Sequence, residues 1–120
     1  MLTFPPSTRI YMAVERVDGR KGFDGLVAIV RSQFGHDPFA GHVYVFVTRR
    51  GDGLRVLFWD RSGYMLILKR LEKGTFQVPW DEREGPPRVV ESAELLLILE
   101  GIDLRGATRR ARWSPSSPVV

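Results

Sequence analysis

Three apolar segments in the middle of the chain, each of strand length, are separated by two very short polar turns. The segments are HVYVFVTRR (42–50), LRVLFWD (54–60) and YMLILKRL (64–71), joined by RGDG (50–53) and DRSG (60–63). Connections this short join antiparallel neighbours, because a parallel pair needs a crossover of about a dozen or more residues. Gly, Asp and Ser are also the residues that tight turns favour. The pattern therefore predicts an antiparallel β-meander.

The segments on either side of this meander predict two further strands and two helices. RIYMAV (9–14) and TFQV (75–78) have strand composition. A second helix is predicted over Ala93 to Glu100, with Ser92 as its N-cap and Gly101 ending it. The first helix is predicted from an apolar stripe at helical spacing, with Asp18 as N-cap and Gly35 as its end. That stripe consists of Phe23, Leu26, Val27, Val30 and Phe34.

These elements predict an α+β fold: a single small domain with an antiparallel β-meander of four or five strands and one or two packed helices. We expect the domain to span residues 1–104. Residues 105–120 are predicted to form a basic, partly flexible C-terminal tail. The tail contains four arginines, a type of segment that often contacts nucleic acid; they are Arg105, Arg109, Arg110 and Arg112.

The composition excludes several classes of protein. The 120 residues contain no cysteine, so a disulfide scaffold and a cysteine-based zinc site are both excluded. No segment reaches the roughly 18 consecutive apolar residues of a membrane helix. Residues 1–6 lack the basic and apolar regions of a signal peptide, so we expect a cytoplasmic protein with no membrane partner. The net charge of +4 and the pI of about 10.0 favour an acidic partner such as nucleic acid.

No catalytic motif is present. His36 and His42 are the only histidines, they lack an HExxH spacing, and the patterns GxSxG, GxxxxGK[ST] and GxGxxG are absent. We therefore expect no catalytic residue, no metal, no cofactor and no small-molecule substrate. One alternative remains, a nuclease that holds divalent metal through carboxylates. Its candidate ligands are Asp24, Asp52 and Asp60, although turn and helix-start positions explain these residues without a metal.

Basic residues concentrate at the predicted turns and strand ends. A basic surface that includes aromatic side chains is suited to phosphate contact and base stacking. Solubility and protection of a sheet edge also favour such residues, so the pattern alone leaves both interpretations open. The predicted nucleic-acid-binding residues are Arg20, Lys21, Arg49, Arg50, Arg55, Lys69 and Arg70. Four of them are expected to share one side of the sheet: Arg50, Arg55, Lys69 and Arg70.

Aromatic residues support a different hypothesis, a protein–protein adaptor that makes no DNA contact. Aromatic side chains are frequent anchors of protein interfaces. The candidate anchors are Phe39, Phe58, Trp59 and Tyr64.

Two glycines stand unusually early in the first predicted helix. Gly22 and Gly25 follow Arg20 and Lys21 directly, and glycine inside a helix costs about 1 kcal/mol relative to alanine. They either let the helix start pack closely on the sheet, or leave backbone N–H groups open as an anion site.

Six short motifs, in order, give the chain a resemblance to a known family. They are RKGFDGL (20–26), DPFAG (37–41), RRGDG (49–53), LFWD (57–60), KRLEKGTF (69–76) and LLLILEGID (95–103). In this order and spacing they resemble the TnpB accessory proteins of IS sixty-six type bacterial insertion sequences, over about residues 1–105.

The resemblance implies a non-catalytic accessory protein of DNA transposition, which works beside a separate transposase that carries the catalytic carboxylates. The implied partners are transposon DNA, the transposase of the same element, or both. Two positions depart from the family pattern. Position 53 is often basic in the family and is Gly53 here, and position 58 is commonly Tyr and is Phe58 here. The first departure removes a charge at the hairpin tip, and the second removes a hydroxyl group.

Overall fold

A five-stranded sheet with one helix on each face makes up the computed structural model, which describes residues 7–102. The strands lie side by side in the order β4-β3-β2-β1-β5. Along the chain the elements are β1 (Ile10–Met12), α1 (Phe23–Ser32), β2 (Val43–Val47), β3 (Gly53–Trp59), β4 (Tyr64–Arg70), β5 (Arg88–Val90) and α2 (Ser92–Leu99). The predicted small α+β fold is confirmed.

The predicted meander is present as β2, β3 and β4, each antiparallel to the next. Phe46 pairs with Arg55, and Arg55 pairs in turn with Leu68. Since side chains alternate between the faces of a sheet, these paired residues lie on one face, and their chain neighbours lie on the other.

The first strand makes the sheet mixed rather than wholly antiparallel. β1 pairs with β2 in parallel, and with β5 in the antiparallel direction. The 30 residues between β1 and β2 contain α1, so this connection is long enough for a parallel crossover. The sequence argument from short turns applied only to residues 42–71, where it holds.

Each face of the sheet carries its own hydrophobic core. On the face that we call the α1 face, Leu26 and Val30 of the helix pack with Phe46 and Leu57. On the opposite face, the α2 face, Ile98 lies in one cluster with the strand core. All five residues of β2 are buried, which explains why this strand reads as a continuous apolar run instead of an alternating one.

The prediction of a strand at 75–78 is wrong. This segment has no strand structure, and Phe76 is instead fully buried in the core of the α2 face, together with Trp80. The Phe76 N–H donates to the Gly51 carbonyl at 2.7 Å. A buried aromatic gave the segment its strand-like composition, because strands and core-covering loops use the same residues.

Both predicted N-caps are displaced. α1 begins at Phe23 with Gly22 as its N-cap, while Asp18, five positions before Phe23, accepts hydrogen bonds from Arg20. α2 begins at Ser92 itself, and Glu91 is its N-cap in a capping box with Glu94. The predicted boundary at residue 104 and the tail over 105–120 lie outside the described residues. Neither helix within 7–102 has the length and apolar character that a bilayer crossing needs.

Candidate nucleic-acid interface

A groove of about 940 Å³ lies at the end of the sheet where β2 turns into β3. Its walls come from the loop before α1, the β2–β3 turn and the neighbouring end of β4. Its charged lining is mainly basic. The cations are Arg20, Arg49, Arg50, Arg55, Lys69 and Arg70, and the carboxylates are Asp18, Asp52 and Glu72.

The β2–β3 turn is held by a buried threonine. The Thr48 N–H donates to the Gly53 carbonyl at 2.9 Å, and the Gly53 N–H donates to Thr48 Oγ1 at 3.1 Å. Gly51, at a φ of 82°, adopts the left-handed conformation that the turn requires and donates to the Thr48 carbonyl at 2.8 Å. This fixed turn leaves Arg49 and Arg50 exposed at its tip.

Arg55 and Arg70 lie on the α1 face of the sheet beside this turn. Arg55 pairs with Leu68, and Arg70 stands two residues further along the same strand, so the two arginines share a face. Arg55 is half-buried, and its Nη2 donates to the Gly19 carbonyl at 3.0 Å. This bond ties the loop before α1 to the sheet and holds the Arg55 guanidinium in place.

Arg20 is already paired within the groove. Its Nε and Nη2 donate to the two carboxylate oxygens of Asp18 at 3.1 and 2.8 Å. These side-chain bonds, together with a bond from the Arg20 backbone N–H, hold the pKa of the Asp18 carboxyl far below its ordinary value of 3.8. The same pair raises the pKa of Arg20. Asp18 is therefore a carboxylate at every physiological pH, and it compensates part of the positive charge.

Two of the seven predicted cations are set apart from the other five: Lys69 lines the groove with its side chain already bonded, and Lys21 does not line it. Lys69 pairs with Leu54, whose side chain lies in the core of the α2 face, and its Nζ donates to the Leu99 carbonyl at 2.6 Å. Lys69 thus caps the C-terminus of α2, and the expectation that it shares a side with Arg55 and Arg70 is wrong. Lys21 does not line the groove, because its aliphatic stem lies over Gly25.

We call the remaining five residues the arginine groove: Arg20, Arg49, Arg50, Arg55 and Arg70. Within residues 7–102, the guanidinium groups of Arg49, Arg50 and Arg70 make no hydrogen bond or ion pair. These three cations are free to bind an anion.

The early glycines of α1 do not pack on the sheet. A Cβ at Gly22 would meet no atom within 4 Å, and one at Gly25 would meet only the flexible Lys21 side chain, at 3.2 Å. The close-packing interpretation of these glycines is therefore wrong, and the anion-site interpretation stays a prediction.

Three of the four predicted aromatic anchors come together at the other end of β3 and β4. Trp59 and Tyr64 are register partners with ring centroids 4.9 Å apart, and Phe39 lies 4.7 Å from Trp59 and 5.8 Å from Tyr64. We call Phe39, Trp59 and Tyr64 the aromatic trio. Phe58 lies on the α2 face against the core and is not part of it.

Phe39 is placed by the turn that precedes it. Its N–H donates to Asp37 Oδ1 at 2.9 Å, and the Ala40 N–H donates to the Asp37 carbonyl, which is the local bonding that Asp favours in turns. The Arg31 guanidinium carbon lies 5.7 Å from the centre of the Phe39 ring, within the range of a cation–π contact. Nothing in the sequence marked Arg31, because the contact joins a helix to a loop.

The histidines belong to an aromatic cluster beneath α1. His36 and His42 both pack edge-on against Tyr11, at 4.4 and 5.4 Å between ring centroids. His42 Nδ1 accepts a hydrogen bond from the Arg9 N–H at 3.2 Å, and burial, with His36 nearby, lowers the pKa of His42 below 6.5. A structural role accounts for both residues.

The candidate metal ligands give the nuclease alternative no support. Among residues 7–102, no three histidine or carboxylate side chains are grouped so that they could hold a metal ion. Asp24 lies in the first turn of α1, Asp52 in the β2–β3 turn and Asp60 in the β3–β4 turn, where the sequence argument had given each a structural explanation.

One family model matches the chain. The family model described as IS66 Orf2 like protein matches residues 8–109. Two curated proteins of Sinorhizobium fredii (strain NBRC 101917 / NGR234) are similar along nearly their whole length. The uncharacterized protein y4jC is 38% identical over 108 residues, covering 90% of this chain and 91% of the relative. The uncharacterized protein y4hO is 33% identical over 116 residues, covering 97% of each. No solved structure matches the chain significantly.

Proposed function

The chain belongs to the IS66 Orf2-like family, which has an accessory role in transposition, and on this premise we propose that it is a non-catalytic accessory protein that contacts transposon DNA through the arginine groove. The DNA contact places the protein on the transposon, beside the transposase of the same element. Phosphate contacts of this kind position a protein without reading base sequence.

The observation that carries the proposal is the convergence of five arginines from three separate segments on one groove. Arginine binds phosphate through a planar fork of donors, and each phosphate that is neutralised releases condensed counterions. Arg55 is fixed by the Gly19 carbonyl, while Arg49, Arg50 and Arg70 have guanidinium groups without a partner among residues 7–102. The groove thus combines one arginine side chain that is fixed by a hydrogen bond with three that can adjust their position to a phosphate.

The test is binding of labelled duplex from the transposon end, and of unrelated duplex, at several salt concentrations. We expect both duplexes to bind, with an affinity that falls steeply as salt rises. The double variant Arg49→Gln/Arg50→Gln should lower the affinity and reduce the log–log salt slope by about 1.8, since each phosphate contact on duplex DNA contributes about 0.9.

A matched control removes the same charge away from the groove. Arg9 precedes β1 at the opposite end of the sheet, and Arg83 lies in the exposed loop before β5. The double variant Arg9→Gln/Arg83→Gln should leave the salt slope close to that of the unaltered protein. Equal losses in both double variants would assign the binding to net charge alone and contradict the groove.

The same titration decides between DNA contact and the adaptor alternative. Absence of binding to any DNA at about 50 mM salt, where phosphate contacts are strong, would overturn the proposal in favour of a protein partner. Incubation of DNA with the protein and Mg²⁺ or Mn²⁺ tests the non-catalytic part. Cleavage that disappears in Asp60→Asn would overturn it and restore the nuclease alternative.

A further inference from the structure

A partly exposed strip of the α1 face joins the arginine groove to the aromatic trio. Along β4 it runs from Arg70 through Leu68 and Leu66 to Tyr64, because alternate residues share a face. Helix α1 packs over β2 and Leu57 of β3, and Leu66 and Tyr64 are half-buried against this cluster. The two ends of the strip are more open: Leu68 is 58% exposed and Phe39 is 48% exposed.

The strip matches the dimensions of a short unpaired strand. Trp59 stands four positions after Arg55 in β3, a distance of about 13 Å at strand rise. This distance corresponds to about four nucleotides at the 3.4 Å rise of a stacked strand. One end of the strip offers cations for phosphates, and the other offers aromatic rings.

The aromatic trio would find no base to stack on in duplex DNA. Bases in a duplex are stacked on each other, so a duplex would engage the arginines alone. An unpaired base has a free π-face, and stacking on an exposed aromatic side chain is the general way in which proteins hold single strands. The Phe39 ring is stacked on Tyr64 at 5.8 Å and has the exposed Arg31 guanidinium over it at 5.7 Å, so a base would stack on Phe39 in the place that Arg31 occupies.

We infer that the strip binds single-stranded DNA in preference to duplex, with phosphates on the arginine groove and a base stacked on Phe39. The inference rests on the proposed function, since it names the form of DNA that the groove takes. Charge favours single-stranded DNA over a protein as the ligand, because one end of the strip is the arginine groove and a single strand is a polyanion.

The experiment compares a labelled oligo-dT with a mixed-sequence duplex of the same length, at matched salt. We expect oligo-dT to bind at least several-fold more tightly. Phe39→Ala should weaken oligo-dT binding by about tenfold, the effect of losing one stacked base, and should leave duplex binding unchanged. Phe39→Leu, which keeps an apolar side chain but removes the ring, should behave like Phe39→Ala.

A matched control is available in Phe23, an aromatic residue of nearly equal exposure, 45%, at the start of α1 and outside the strip. Phe23→Ala should leave oligo-dT binding unchanged. Stacking also predicts quenching of tryptophan emission by oligo-dT, and this quenching should be absent in Trp59→Phe while binding persists.

The outcomes separate the two proposals. Duplex binding equal to or tighter than oligo-dT binding, still weakened by Arg49→Gln/Arg50→Gln, would overturn the single-strand inference and leave the proposed function standing. Equal weakening by Phe23→Ala and Phe39→Ala would also overturn it. Absence of binding to both DNA forms would overturn the proposed function itself.

Discussion

At the scale of single residues, Gly53 in the arginine groove has no room for a side chain. Its backbone is extended, so the constraint is space and not conformation. A Cβ there would lie 2.8 Å from Thr48 Cγ2 and 2.9 Å from Thr48 Oγ1. Thr48 is buried and held through its hydroxyl oxygen, so it has little freedom to move away.

We therefore expect Gly53→Ala to lower the free energy of unfolding by about 1–3 kcal/mol, the usual cost of overpacking a buried site. Urea denaturation followed by circular dichroism measures the change. Gly63→Ala is the matched control, because a Cβ at Gly63 meets nothing within 4 Å, and its effect should stay within about 0.5 kcal/mol. Equal stability of Gly53→Ala and the unaltered protein would contradict the packing described for the turn.

The same residue explains part of what sequence reasoning missed. The absence of a basic side chain at position 53 was interpreted as a lost charge. The structure adds that no side chain fits beside Thr48 here. A buried threonine between an apolar strand and two arginines carries no signal in a single sequence, since its partner is five residues away in a turn whose geometry must already be known.

At the scale of elements, β4 divides its basic residues between the two faces of the sheet. Lys69 and Arg70 are neighbours in the chain and both border the groove, yet the Lys69 ammonium donates to the Leu99 carbonyl of α2, on the other face from Arg70. Sequence alone could predict that β4 is a strand, and alternation then requires these two side chains to point apart. Which face carries the groove depends on where α2 docks, and residues 64–71 contain no information about that.

This division predicts that two neighbouring substitutions affect different properties, stability in one case and DNA binding in the other. Lys69→Met should lower stability by about 0.3–1 kcal/mol, the contribution of a cation at a helix C-terminus, and change DNA affinity less than twofold. Arg70→Gln should leave stability unchanged and reduce the salt slope of duplex binding by about 0.9. Denaturation and salt titration of both variants measure the two effects, and the reverse pattern would refute the assignment.

The central meander was predictable because its turns are short and rich in Gly, Asp and Ser, and short turns allow one arrangement only. Two other features of the fold could not be predicted from the sequence. Phe76 gave its segment strand composition, although its side chain serves the core. The parallel pairing of β1 with β2 leaves no trace in either strand, because both read as apolar segments whichever direction their partner runs.

At the scale of the whole molecule, the strand order predicts how stability is distributed. β2 is paired on both sides and buried on both faces, and β1 is also paired on both sides, whereas β4 and β5 are the edges. We expect the amides of β2 and those of β1 bonded to it to exchange with solvent only on global unfolding. The outward-facing amides of β4 should exchange much faster, because they bond to no other strand in the described part of the chain.

Native-state hydrogen exchange, followed by mass spectrometry or NMR, measures this distribution. The outward and inward amides of β4 serve as controls for each other, since they belong to the same strand. Equal protection of both sets in the monomer, or rapid exchange in β2, would be incompatible with the observed strand order.

The position of β1 has a consequence for how the protein is made. The first strand to leave the ribosome acquires its second neighbour only when β5, 75 residues later in the chain, has been synthesised. Until then a nascent chain exposes one side of β1, and the apolar face that α2 later covers is open as well. Messages truncated before residue 88 should therefore yield insoluble fragments, because an uncovered edge beside apolar surface is a site of aggregation.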